Sequence, residues 1–371
     1  MSFTSIRKCL LAACIAGSLF AAEPPAATSG ATLSNGKGAA TYLDGRMSWW
    51  MDWPGAVRDH DTFCVSCHTA VPYAMARPAL RQALGEQGPS AVETRMLTNV
   101  TKRVRLWDEL EPFYPDKTRG VPKTAESRGT ESILNAIILT GYDEPGKLGP
   151  DAKLALDHMW GQQLTEGETK GAWNWLQFHN SPWEGDSQYY GTTLAAIAVG
   201  RAPAGYASAP EIQGGMKLMR EYLSANLASQ ILMDRVMVLW ASTKIPHLLT
   251  PEQRKSIIDE ALSKQQADGG FSLSSFVGAW KRHDSTPLET KSDGYATGVV
   301  ALVLQDADVK AGDPRLQRAL AWLEQNQDKT DGRWYAYSLN KQRDLSTDIG
   351  KFMSDAATSY AVLALHRSAK L

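Results

Sequence analysis

Five stretches of the chain place small and aliphatic residues on almost every position of a helical turn: GTESILNAIIL from Gly129, DSQYYGTTLAAIAV from Asp186, ASQILMDRVMVLW from Ala228, KSDGYATGVVALVL from Lys291 and MSDAATSYAVLAL from Met353. A helix that is apolar all round is buried on all sides, so these read as inner helices. Each opens with Ser or Thr followed by Glu, Gln or Asp, the chemistry that satisfies free backbone N–H groups at a helix start. Between them lie segments with a single apolar stripe. In TPEQRKSIIDEALSKQ, Ile257, Ile258, Ala261 and Leu262 share one face and the charges occupy the other. Starts of this second kind are marked by Gly149-Pro150, Pro210 after Ser208, Thr250-Pro251-Glu252-Gln253 and Asp313-Pro314, with proline at the first helical position and, in most, a capping residue nearby. Adding an amphipathic segment over about 90–109, outer and inner helices alternate as five pairs. The pattern predicts an all-α chain: an α/α toroid of about five to six helix pairs, its inner helices lining a central cavity.

Most outer segments end alike, with Gln163 before KGAWNW, Gln266 before ADGGF and Gln327 before KTDGRWY. Gln, then Asp-Gly, then an aromatic resembles the QW-type repeat of the squalene–hopene cyclase and protein prenyltransferase superfamily, whose fold is an α/α barrel. SDGYATGVVAL, RLQRALAWLEQNQDKTDGRW and SDAATSYAVLAL carry the same resemblance, which covers roughly residues 125–371 and is best in the last hundred.

That resemblance implies a protonating acid in an Asp-x-Asp-Asp cluster at an inner helix start. The matching positions hold single acids, Asp293, Asp355 and Glu131, and the nearest approach to a cluster is Glu184 with Asp186 in WEGDSQ. Glu184, Asp186, Asp293 and Asp355 are therefore the candidate catalytic carboxylates, against the plainer reading of helix caps. With Glu131, Gln188 and Gln230, the inner-helix acids Asp293 and Asp355 form a polar ring at one mouth of the barrel. A prenyltransferase zinc would need a cysteine ligand, and none follows Cys67. Toroids that cleave polysaccharides also use carboxylate pairs, and no spacing here selects that chemistry. His158, His179, His247, His283 and His366 are scattered and read as structural.

Composition narrows the classes. A net charge of −1 with Lys and Arg dispersed leaves no electrostatic footprint for nucleic acid or anionic lipid. Residues 1–22, with Arg7 and Lys8 before an apolar run, read as a signal peptide. Residues 23–40 read as a flexible leader, 41–125 as a c-type haem-binding segment and 126–371 as the toroid. No later run reaches the ~18 apolar residues of a membrane span. Leu11-Ala12-Ala13-Cys14 resembles a lipobox, so a lipid anchor at Cys14 is the alternative to simple cleavage. The expected location is the periplasm or an equivalent exported compartment.

Loss of the leader removes Cys9 and Cys14 and leaves Cys64 and Cys67, both in FCVSCHTAVPYAM. Cys-x-x-Cys-His is the attachment chemistry of a c-type haem: two thioethers to the vinyl groups and the histidine as proximal iron ligand. On a helical turn Cys64, Cys67 and His68 would share a face. The alternatives are a disulfide or redox dithiol and a zinc site, which takes about four ligands. For the distal iron position His60, Met96 and Met75 are the candidates in that order, beside an open site. Trp49, Trp50 and Trp53 are candidate walls for the porphyrin. The expected protein is an exported mono-haem, cytochrome-like chain with one covalent haem c, acting in electron transfer or haem-linked redox chemistry with a redox partner protein or a small apolar ligand. A terpenoid cyclase-like enzyme and a non-catalytic binding toroid are the rival classes.

Overall fold

The computed structural model describes Met1 and residues 35–371 apart from 186 and 204. The expected signal peptide, the anchor at Cys14, most of the leader and Asp186 lie outside the described residues. The described residues from Asn35 to Leu371 lie in one compact unit. Among the described residues the helices are α1 Gly36–Asp52, α2 Ala70–Leu84, α3 Ala91–Arg105, α4 Asp116–Arg119, α5 Lys123–Tyr142, α6 Pro150–Gly161, α7 Tyr189–Arg201, α8 Gln213–Asn226, α9 Leu232–Ser242, α10 Pro251–Ser263, α11 Gly294–Asp306, α12 Pro314–Gln325 and α13 Phe352–Arg367. Strand structure among them is a two-residue antiparallel hairpin, β1 Val57–Arg58 against β2 Thr62–Phe63. The chain is all-α, and no described helix is long and apolar enough to cross a membrane.

The two sequence patterns sort the helices as expected. Nearly every residue of α7, α11 and α13 is buried, as are most of α5 and α9 and the first half of α2. These six pack in a closed cycle: α2 on α5, α5 on α7, α7 on α9, α9 on α11, α11 on α13, and α13 back on α2. Helices α1, α3, α6, α8, α10 and α12 bury one stripe each. They lie against the cycle, α1 on α2 and α13, α3 and α6 on α5, α8 on α7, α10 on α9, and α12 on α11 and α13. Capping boxes open two of them: Thr250 with Gln253 at α10, where the sequence marks a start, and Ser90 with Glu93 at α3.

The stretch 41–125 lies in the same compact unit as the rest: α1 and α2 pack into the same array, and α5 runs across residue 125. Pro72 and Pro78 within α2 break the sequence signature of an inner helix while its buried face survives. The leader, expected to run to residue 40, gives way to α1 at Gly36. Asn35 caps that helix by accepting from the Gly38 N–H at 2.8 Å.

The shared Gln punctuation is a set of brackets between consecutive outer helices. Gln163 Nε2 donates to the carbonyls of Gly171 and of Gly215 in α8. Gln265 Nε2 donates to Gly269 and to Arg315 in α12, so Gln265 takes the place expected for its neighbour Gln266. Gln327 Nε2 donates to Gly332 and to Asn35, and its Oε1 accepts from the Asn35 N–H at 2.7 Å. The last bracket joins the end of α12 to the start of α1. Gly332 has φ +79°, and a Cβ there would sit 2.3 Å from the Gly38 carbonyl carbon, so only glycine lets the two backbones meet. Hydroxyls on inner helices hold loop backbone: Thr130 accepts from the N–H of Leu176 in the loop before α7, and Thr297 and Thr358 accept from the N–H groups of Phe271 and Trp334 in the loops before their own helices.

Candidate functional site

The cysteine motif fills the passage from α1 through the β1–β2 hairpin to α2. Trp50 Nε1 of α1 donates to the Cys64 carbonyl at 2.7 Å, and the Cys64 N–H donates to the Ala56 carbonyl. The Asn99 side chain of α3 bonds both backbone groups of Phe63. Ser66 Oγ accepts from the N–H groups of Thr69 and Ala70 and so caps the start of α2. The helical turn expected to carry all three ligating residues is only partly formed: Cys64 is in irregular backbone, and the turn begins at Cys67.

His68 is fixed by a chain of hydrogen bonds that crosses the array. Its Nδ1 lies 2.9 Å from Thr69 Oγ1, and Thr69 Oγ1 donates to Asp355 Oδ2 at 2.8 Å. A hydroxyl has one proton to give. With that proton on Asp355, Thr69 accepts from His68, so Nδ1 carries the imidazole proton and Nε2 keeps its lone pair. Asp355, in the first turn of α13, also accepts from Arg46 Nε and from Tyr42 Oη, each at 2.8 Å. Arg46 continues to Asp348. Burial works to raise the Asp355 carboxyl, while three donors, one of them a guanidinium, favour the carboxylate.

Around the imidazole lie Phe352, with ring centroids 3.9 Å apart, Trp50 edge-on at 4.9 Å and Trp183 at 5.6 Å. His68 lines a cavity of about 190 Å³ with Trp53, Tyr114, Glu184, Arg343 and Met353 among its other walls. Burial, with Arg46 nearby, pushes His68 down to about 3, so the ring is neutral at ordinary pH. Burial pushes Glu184 up to about 7, against Asn180, which donates to it, and Lys123. The Cys64 and Cys67 thiols are buried and unbridged. Burial pushes Cys64 up to about 12 and Cys67 well above the ordinary thiol range.

These values sort the alternatives. A redox dithiol works through a thiolate stabilised by positive surroundings, and these thiols are held protonated. Among the described residues no group of three or more His, Cys, Asp or Glu is placed to hold a metal ion. Of the c-type haem donors, Cys64 and Cys67 both precede His68 and neither is among the residues lining its cavity, while His68 Nδ1 is committed to a hydroxyl backed by a carboxylate, the outer-shell arrangement typical of metal-ligating histidine. The cavity is smaller than the ~300–1,000 Å³ of ordinary ligand pockets, so a macrocycle here requires the Phe352 and Trp183 rings to move off the imidazole.

The other sequence candidates separate. His60 is exposed on the hairpin turn beside Asp59; Met75 and Met96 are buried within α2 and α3. None of the three is among the residues lining the His68 cavity, whereas Met353 is. Met353 is the residue before the Ser-Asp that marks the α13 start, a signal that only the ring closure connects to Cys64. Asp293 caps α11, accepting from the N–H groups of Ala296 and Leu273, with burial pushing it up to about 7. Glu131 is fully buried and ion-paired with Arg103. Of the candidate carboxylates among the described residues, Glu184 alone lines the cavity. Among the five scattered histidines, His179 stacks on Trp280 at 4.2 Å and His158 on Trp107 at 4.8 Å. A scan against protein-family models gives no match to this chain, and a search of curated proteins gives none either.

Proposed function

We propose that the chain is an exported mono-haem c-type protein, with Cys64 and Cys67 forming the thioethers and His68 Nε2 ligating iron, acting in electron transfer or haem-linked redox chemistry. The closed cycle of six buried helices and its six amphipathic companions supports reading the scaffold as an α/α toroid of six pairs, with the cysteine motif at the start of its first inner helix. One observation carries the functional reading: the hydrogen-bond chain from His68 through Thr69 to Asp355 and Arg46. It fixes the tautomer, orients the ring and leaves Nε2 with a free lone pair, which is what an iron ligand requires and a core histidine does not. When bound, the haem supplies one-electron redox chemistry. Trp50, Trp53 and Trp183 offer it flat apolar walls, and Arg343 supplies positive charge at the cavity rim. The partner is a redox protein or a small apolar ligand.

The test is the visible spectrum of the mature chain made in a host with haem-maturation machinery. Absorption bands that sharpen on dithionite are expected, and His68→Ala should change the reduced spectrum and open the iron to carbon monoxide. A colourless wild-type preparation from that host would overturn the reading. A terpenoid cyclase-like activity draws support from Glu184 alone, a carboxyl that holds its proton near neutral pH on the cavity wall. Conversion of a polyprenoid by the haem-free chain, lost in Glu184→Gln, would favour that reading instead.

A further inference from the structure

The fifth residue after the hydroxyl that opens each of five inner helices is polar: Asn135, Thr192, Asp234, Thr297 and Ser359. Each lies a little over one helical turn beyond that hydroxyl. The three hydroxyls are satisfied by backbone carbonyls: Thr192 by Gln188, Thr297 by Phe271 and Ser359 by Asp355. Asp234 Oδ1 and both amide atoms of Asn135 are buried without a hydrogen-bond partner, a condition native proteins rarely leave unanswered. Asp234, 9% exposed, lines a cavity of about 280 Å³ between the starts of α7 and α9 with Tyr190, Ser187, Ser229, Gln230 and Trp280. At ~30 Å³ per water that is room for about nine waters, the size of a small organic molecule. Asp234 is the one charged residue among the described walls, and its neighbour Arg235 is committed to Glu260 at 2.6 and 2.8 Å.

We propose that this cavity binds a small primary organic ammonium ion, with Asp234 as its counter-ion and Tyr190 and Trp280 as its aromatic wall. An acid without a base, beside two aromatic faces, selects positive charge: the carboxylate supplies Coulomb attraction at short range, and ring quadrupoles favour a cation over an anion. Ser187, Ser229 and Gln230 supply polar partners for the ammonium hydrogens. A bare metal ion is disfavoured, because a single carboxylate is too few ligands. Burial holds the Asp234 carboxyl up to about 7, so an arriving cation displaces a proton.

The experiment is calorimetric titration of the mature full-length chain with n-butylammonium chloride, pentan-1-ol and sodium pentanoate near pH 7. Butylammonium is expected to bind at least about tenfold more tightly than either comparator, with net proton release read from buffers of different ionisation heat. Asp234→Asn should abolish that preference while leaving the melting temperature and the visible spectrum in place. Equal binding of the alcohol, no binding of the ammonium, or a preference that survives Asp234→Asn would each overturn the proposal. The three-ligand comparison on the wild-type chain decides the matter even if the variant does not fold.

Discussion

At the scale of single residues, the account depends on what stands behind His68. Asp355 joins Thr69 from 286 positions along the chain, and its removal leaves Arg46, 5% exposed, with a buried charge and one partner fewer. Asp355→Ala is therefore expected to lower unfolding free energy by about 3–5 kcal/mol in denaturant titrations, and an effect under about 1 kcal/mol would show the ion pair to be dispensable. Glu184 carries a pH signature. Its carboxyl is raised from 4.5 to about 7, so the folded chain holds that proton more tightly than the unfolded chain. Stability from this group is complete below pH 4.5 and is lost as pH rises through 7. His68, pushed from 6.5 down to about 3, acts oppositely, contributing above 6.5 and failing as pH falls through 3. Glu184→Gln should flatten the fall in stability between about pH 5 and pH 7; parallel curves for variant and wild type would place that carboxyl in solvent. Cys64, Cys67 and His68 were legible in the sequence because the motif is local. Asp355 reads there as a helix cap, since nothing local reveals that its acceptors face Thr69 and Arg46.

At the scale of elements, periodicity located the inner and outer helices, and proline with capping residues located several starts. What periodicity missed was α2 as an inner helix, because two prolines and the cysteine motif interrupt its pattern, and α1, whose start lies in what composition marks as leader. The Gln brackets were visible as punctuation but not as connections. Neighbouring Gln265 and Gln266 are equivalent in sequence, and only the carbonyls they reach distinguish them: Gln265 goes to Arg315 and Gln266 to Thr290. The bracket at Gly332 offers a test. Gly278→Ala, at φ +61° in open space, should cost about 1–2 kcal/mol from its left-handed backbone alone. Gly332→Ala adds a Cβ against the start of α1 and should exceed that by a further ~1–3 kcal/mol in the same denaturant assay. Equal losses would mean that the contact with Gly38 relaxes freely.

At the scale of the whole molecule, the last outer helix is tied to the first through Gln327 and Asn35, and α13 packs on α2. The cycle closes over the cysteine motif. With Cys64 6% and Cys67 7% exposed, the sulfurs are out of reach once it has closed, so the proposed thioethers require attachment before folding is complete. Reduced apoprotein offered haem while unfolded should gain covalent haem, and the folded apoprotein should gain little; equal yields would mean that the α1–α2 region opens readily. The most direct measurement is the mass of the tryptic peptide running from Asp59 to Arg81, the Arg77-Pro78 bond resisting trypsin, which holds both cysteines, taken from the mature chain made with haem-maturation machinery. The expected mass is that of the peptide plus one haem. The bare peptide mass, or that mass less two hydrogens for a Cys64–Cys67 disulfide, would contradict the assignment of this chain as a haem protein.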